Sequence, residues 1–160
     1  MIYGDDGFGE ADHFIRGYRI EDAPAVHKIE QECFDGDRYP LFLIIQLGEI
    51  FTNSFLIAGR GTAVVGYAIA VPDGNRVACG WILSIAVLPE HRRIGIGNQL
   101  LAVAEEHLRS RGCTEARTTV RPGNIPSQCL FRRRGYLQSS SMSDYFGPGE
   151  HRLLLAARLK

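Results

Sequence analysis

Residues 84–101 read SIAVLPEHRRIGIGNQLL, and the order of their parts decides the architecture. An apolar run ends at Pro89, two arginines and two glycines spaced one apart follow, and a helix-like run begins near Gln99. A helix N-terminus leaves unpaired N–H groups pointing outward and carries roughly half a positive charge, so it binds phosphate well. Glycine removes the Cβ that would hold an anion at a distance. Gly95 and Gly97 therefore let the backbone wrap an anion, while Arg92 and Arg93 supply charge-assisted hydrogen bonds. The competing reading is structural: Gly97 lets the helix pack closely on a strand and the arginines are solvated. Two rival phosphate motifs fail on spacing. A dinucleotide fingerprint needs a third glycine where Leu100 stands, and the P-loop pattern ending in Gly-Lys-Ser/Thr is absent.

Working outward, the helix after this turn places Gly97, Leu100, Leu101, Ala104 and Leu108 in one stripe and Glu105, Glu106, Arg109 and Ser110 opposite, with Gly112 as C-cap. TEARTTV follows as a strand, which makes a βαβ unit. Asn124 then N-caps a short helix that stops at Gly135. Upstream, TAVVGYAIAV and the run Val77 to Leu88 flank the turn signal Pro72–Asn75 and form a hairpin. Two helices precede these strands. One starts near Ile20, with Glu21 and Asp22 at the positive end of its dipole and Val26, Ile29 and Cys33 along one face; the other is LFLIIQLGEIF. FIRGYRI is a first strand, and the chain after Tyr136 forms two strands around a Gly/Pro loop. The expected fold is mixed α+β, a largely antiparallel sheet with about four helices. Residues 1–12 are expected as a loose tail and residues 13–160 as a single domain.

Bulk properties narrow the function. Lys plus Arg and Asp plus Glu stand at 18 each, so no general nucleic-acid or anionic-membrane binder is indicated, and any anion site is local. The three arginines of FRRRG complement a helix C-terminus, which is preferred over a nucleic-acid reading. Cys33, Cys79, Cys113 and Cys129 are scattered without a CxxC or Cys/His cluster, so no metal is expected. The N-terminus lacks the pattern of a signal peptide and no run is long enough to span a membrane, which leads to the expectation of a cytoplasmic protein.

The stretch SIAVLPEHRRIGIGNQLL resembles the coenzyme A motif of the GCN5-related N-acetyltransferases, in the form Arg92-x-x-Gly95-x-Gly97. VRPGNIPSQCLFRRRGY is similar to the family's second signature, and RGYRIEDAPAVHKIEQECF extends the likeness toward the start. Within the family, DYFGPGEHRLLL resembles the Tyr-Tyr…Gly-Glu-Asp loop of the N-terminal acetyltransferases of the ribosomal-protein type. The resemblance implies acetyl-CoA as cofactor, with the backbone of Ile85, Ala86 and Val87 holding the pantetheine arm where this strand splays from its neighbour. It implies that amides of Arg93, Ile94, Gly95, Ile96, Gly97 and Asn98 cradle the pyrophosphate. Asn124 would contact the cofactor arm or serve as a plain N-cap, and Phe131 would lie near the thioester. Tyr39, within the variable segment Asp35 to Pro40, and Tyr145 would bind substrate.

The same alignment leaves the proton chemistry open. Positions where the family carries an acid or base hold Trp81, Thr119 and Phe131, none of which titrates usefully. Tyr145 and His151 are replacement proton carriers, as is an ordered water. A coenzyme A thiol with a pKa of about 8.5 leaves tolerably without an acid. An α-amine near 8 is roughly a tenth neutral at pH 7, whereas a lysine near 10.4 is neutral about once in 2,500, a difference worth on the order of 3 kcal/mol of barrier. The expected activity is direct acetyl transfer to a primary amine, a protein or peptide N-terminus ahead of a small molecule, in a monomer or homodimer. A non-catalytic acyl-CoA sensor is the alternative from another class.

Overall fold

The computed structural model describes residues 13–160; the expected tail, residues 1–12, lies outside them. The elements in order are β1 (His13–Gly17), α1 (Ala23–Cys33), α2 (Leu41–Ile50), β2 (Phe55–Arg60), β3 (Ala63–Pro72), β4 (Cys79–Val87), α3 (Ile96–Ser110), β5 (Glu115–Val120), α4 (Ile125–Arg133), β6 (Leu137–Met142) and β7 (Arg152–Arg158). The strands form one seven-stranded sheet in the order β1, β2, β3, β4, β5, β7, β6. Pairing is antiparallel for β1–β2, β2–β3, β5–β7 and β6–β7, and parallel for β4–β5. The expected α+β class is therefore correct.

The chain divides into two compact units, Met1–Ile69 with Ser84–Ala104 and Ala70–Leu83 with Glu105–Lys160. The boundaries fall inside β3, β4 and α3. In the first unit Phe55, Ile57, Tyr67 and Ile69 are fully buried, and Val26, Ile29 and Ile44 cover them from α1 and α2. Each such side chain contributes about 1.5–3 kcal/mol of burial. Tyr18 stacks on Phe55 with centroids 4.8 Å apart. Gly66 of β3 is required by a close approach: a Cβ there would meet the Ala86 carbonyl oxygen at 2.8 Å.

In the second unit the parallel ladder of β4 on β5 runs only from Cys79↔Glu115 to Trp81↔Arg117, although β4 continues to Val87. Past the ladder, the Thr118 hydroxyl donates to the Ile82 carbonyl at 3.0 Å, so a side chain takes over from a strand hydrogen bond. That early end is the expected splay.

Three details correct the sequence reading. β4 begins at Cys79 rather than Val77, because Val77 is wholly exposed and Ala78 takes a left-handed φ of 63° that breaks the strand. The first long helix begins at Ala23 after a short 3-10 turn, where Asp22 is buried and forms a bidentate pair with Arg16 at 2.7 Å. Glu105, counted on the solvent side of α3, is buried to 4% exposure because the Arg134 guanidinium pairs with it. A lone buried carboxylate would be costly, and a cation at hydrogen-bonding distance removes most of that cost.

No helix among the described residues is long and apolar enough to cross a membrane.

Candidate active site

The glycine turn lies in the first unit. Between Val87 and α3, Arg93 takes φ 64° and Gly95 φ 93°, so two left-handed residues alternate with right-handed or extended ones. Such alternation turns successive amides toward one side and makes an anion-binding concavity. A left-handed arginine is strained by about 1–3 kcal/mol, and strain of this kind persists where a site needs the geometry. A Cβ built on Gly95 would meet nothing within 4 Å, so the space over this backbone is open. The first N–H groups of the 15-residue α3 point into the same turn without helical acceptors. These residues fit a diphosphate.

Arg92, expected at the cofactor, makes two contacts within the protein. Its Nε donates to the Val87 carbonyl at 2.8 Å and its Nη2 lies 3.5 Å from the Cys33 sulfur. It therefore clamps the end of β4 to α1. Burial raises the Cys33 thiol above its ordinary pKa although Arg92 pulls the other way, so the sulfur remains a thiol. Ile85 is half-buried and Ala86 is buried.

The first unit also holds a feature that the sequence reading passed over. Glu30 of α1 is 1% exposed. The Tyr67 hydroxyl donates to its Oε1, the Tyr39 amide donates to Oε2 at 2.5 Å, and the Ser84 hydroxyl lies 2.7 Å from the Tyr67 oxygen. Tyr39, expected to face substrate, thus has its backbone fixed by a buried carboxylate. The signal was present in the sequence: Val26, Ile29, Glu30 and Cys33 occupy i, i+3, i+4 and i+7, and a carboxylate on such a stripe is seldom solvated.

The remaining candidates belong to the second unit. Trp81 donates its indole N–H to Asp73 Oδ2 at 2.9 Å, and Asp73 also accepts from the Asn75 and Arg76 amides of the hairpin turn at 2.8 and 3.2 Å. The indole and the turn amides hold the Asp73 carboxyl below its ordinary pKa. Thr119 is half-buried in β5 opposite Leu154. Phe131 is 1% exposed and packs edge-on against Tyr136 with centroids 5.0 Å apart. Burial beside Glu105 pushes the Tyr136 phenol far above its ordinary value, so it stays protonated. Asn124 accepts from the Ser127 amide at 3.1 Å; it is an N-cap, whose oxygen is thereby engaged.

Tyr145 and His151 share the β6–β7 loop. Both are exposed, and Tyr145 lies edge-on to Phe146 with centroids 4.7 Å apart. The Asp144 amide donates to His151 Nδ1 at 3.1 Å. That bond assigns the neutral imidazole proton to Nε2, which then presents a donor rather than a base. Glu150 pairs with Arg121 and Arg152 at 3.1 Å each, and the Arg152 guanidinium sits 4.7 Å from the Phe146 ring centre. A surface cleft walled by Glu105, Arg134, Leu137 and Arg158 holds none of the candidate residues. Among the described residues no three His, Cys, Asp or Glu side chains are grouped to hold a metal ion.

Comparison with known proteins agrees with this geometry. The model of the acetyltransferase (GNAT) family matches residues 23–136. An uncharacterized N-acetyltransferase of Methanocaldococcus jannaschii is 33% identical over 143 residues, 88% of each chain. An N-alpha-acetyltransferase of Sulfurisphaera tokodaii is 27% identical over 155 residues, covering 91% of this chain and 92% of that one. In fold, the crystal structure of Ard1 from Thermoplasma volcanium superposes with a TM-score of 0.86 at 21% identity, over 94% of this chain and 99% of that one. The chain belongs to the acetyltransferase (GNAT) family and is an acetyl-CoA-dependent acyltransferase with N-acetyltransferase activity.

Proposed function

We propose that the amine acetylated is the α-amino group of a protein or peptide N-terminus. The observation that carries this reading is the state of the three positions where the family resemblance implies an acid or base. Trp81 is tied to Asp73, Thr119 is a hydroxyl in a strand, and Phe131 is sealed against Tyr136. An enzyme without a strong base at these positions favours an amine that is partly neutral at pH 7, which an α-amine is and a lysine is not. Relatives named N-alpha-acetyltransferase, such as that of Sulfurisphaera tokodaii, support the same choice.

In this reading Ile85, Ala86 and Val87 align the cofactor arm, and the amides from Arg93 to Asn98 hold its diphosphate. Acetyl-CoA, when bound, supplies an activated acetyl thioester with a thiolate leaving group. Arg92 keeps the end of β4 in place through the Val87 carbonyl. Tyr39 of the first unit, with its backbone fixed by Glu30, is assigned to the peptide, as is Tyr145 of the second. Asn124 caps α4.

The test is a panel of peptides with free N-termini against the same peptides blocked at the α-amine but carrying a free lysine, with polyamines alongside. Thiol release from acetyl-CoA is expected for free N-termini, at rates on the order of a hundredfold or more above the lysine peptides near pH 7. Equal rates on lysine, or turnover on polyamines alone, overturn the assignment.

A further inference from the structure

Glu30, Tyr67 and Ser84 make a hydrogen-bonded line from the interior to the strand that carries the cofactor contacts. Glu30 is 1% exposed and Tyr67 fully buried, while Ser84 is half-buried and directly precedes Ile85. Ser84 is thus the end of the line that solvent or substrate reaches. The direction of the line follows from donor count. Glu30 has a phenol donating to Oε1 and an amide donating to Oε2. Tyr67 has one proton, and it goes to Glu30, so its oxygen accepts from the Ser84 hydroxyl at 2.7 Å. Ser84 is left with outward lone pairs and no proton of its own to offer.

We propose that Glu30 takes up the proton of the incoming amine through a relay of Ser84 and Tyr67, a role resting on the amine-acetylating reading above. The ammonium N–H bond breaks as its proton passes to Ser84 Oγ. The former Ser84 proton moves to the Tyr67 oxygen, and the former Tyr67 proton moves to Glu30 Oε1. An ammonium and a carboxylate become a neutral amine and a neutral carboxylic acid, with both hydroxyls restored. The overall reaction turns an ammonium and a thioester into an amide, a thiol and one proton, and Glu30 holds that proton until solvent takes it back through Ser84.

The surroundings suit this use. Burial raises the Glu30 carboxyl above its ordinary pKa and Asp37 adds to the rise, against the opposing Tyr67 and Tyr39 hydrogen bonds and His27. Tyr67 is held far above its ordinary value by burial and by Glu30, so it passes a proton without persisting as an anion. The Tyr39 phenol and Cys33 thiol, both also facing Glu30, are raised by burial and remain neutral. A carboxylate is a weak base, so it draws a proton far more readily from an α-ammonium with a pKa of about 8 than from a lysine ammonium at about 10.4, and the preference for an α-amine stands with the relay in place.

The deciding measurement is kcat/KM for an α-amine peptide against pH in the wild type, Glu30→Gln and Ser84→Ala. Without the relay the enzyme uses only amine already neutral in solution, about a tenth at pH 7. Both variants are expected to lose about tenfold at pH 7 and regain the wild-type value above roughly pH 9, where the amine is neutral in water. An independent readout is the carboxylic-acid carbonyl band in the infrared of the free enzyme. It should titrate above the usual carboxylate range in wild type and Ser84→Ala, and that component should be missing in Glu30→Gln.

Variant profiles that are the wild-type profile scaled by one factor at every pH overturn the relay and leave Glu30 a support for Tyr39. If Glu30→Gln fails to fold, Ser84→Ala decides, because it cuts the open end and leaves the bond between Tyr67 and Glu30 intact. A wild type that binds coenzyme A and acetylates lysine but no α-amine sinks the substrate reading instead. In that case an infrared titration of Glu30 in the ordinary range would overturn the relay separately.

Discussion

The turn Arg92–Asn98 and the loop Ser143–His151 each carry two glycines, yet they use their polar groups in opposite ways. In the turn, left-handed Arg93 and Gly95 hold backbone amides outward, and the space over Gly95 is empty of protein atoms. In the loop the polar groups bind one another. Asp144 Oδ1 accepts from the Gly149 amide at 2.7 Å, His151 accepts from the Asp144 amide, and Glu150 bridges Arg121 and Arg152. In the proposed reading the turn receives the cofactor diphosphate, for which backbone amides are enough. The loop holds its own shape, and its rings Tyr145 and Phe146 are exposed.

The sharpest way to break this contrast is Gly95→Val. A β-branched residue at φ 93° is a rare outlier, and relaxing it would turn at least one amide out of the cradle. Each charge-assisted amide contact is worth about 1.5–3 kcal/mol, so coenzyme A binding by calorimetry should weaken roughly tenfold to a hundredfold. Thermal unfolding should cost only about 1–2 kcal/mol, the left-handed penalty, because no protein atom lies within 4 Å of the new Cβ. Unchanged cofactor affinity would mean that the turn is packing and nothing more.

Asp144→Ala addresses the other side of the comparison with a smaller effect. It removes the acceptor of the Gly149 amide, an exposed hydrogen bond worth about 1 kcal/mol. The expected result is a KM for peptide raised about fivefold, with the dissociation constant of coenzyme A unmoved. A change in cofactor affinity would show that the loop's shape matters to more than the peptide.

This contrast also explains what a reader of the bare sequence could and could not see. A site made of backbone leaves a covalent trace, since Gly95 and Gly97 are spaced by the geometry itself and the helix after them can be counted. The α+β class followed from the same logic, because the hairpin turn at Asp73 and the stripe of Leu100, Leu101, Ala104 and Leu108 are local patterns. Glu105 was misjudged because its partner Arg134 lies far along the chain, and a helical wheel counts a carboxylate as solvated whatever faces it. The bond between Trp81 and Asp73 was equally hidden, although both residues flank one turn. Glu30 was legible in principle, as a charge on an apolar stripe, yet its meaning depends on Tyr67 and Ser84 from two other strands. Side-chain sites assembled from distant segments leave no spacing to read.

His151→Asn carries the smallest expected effect and separates two uses of one residue. Asn places an oxygen near the position of His Nδ1, so the bond from the Asp144 amide survives, and an exposed substitution of this kind shifts stability by less than about 0.5 kcal/mol. If His151 only ties the two ends of the loop, kcat stays within about twofold and its pH dependence is unaltered, because the imidazole proton on Nε2 never enters the reaction. If His151 carries protons, replacing a titrating ring with an amide removes a limb of the pH profile even though the loop is intact. The structure favours the first outcome, since Nδ1 is already an acceptor and the buried carboxylate of Glu30 offers the proton a different destination. A lost acid limb in His151→Asn, with Glu30→Gln unchanged, would move the proton chemistry from the first unit to the loop.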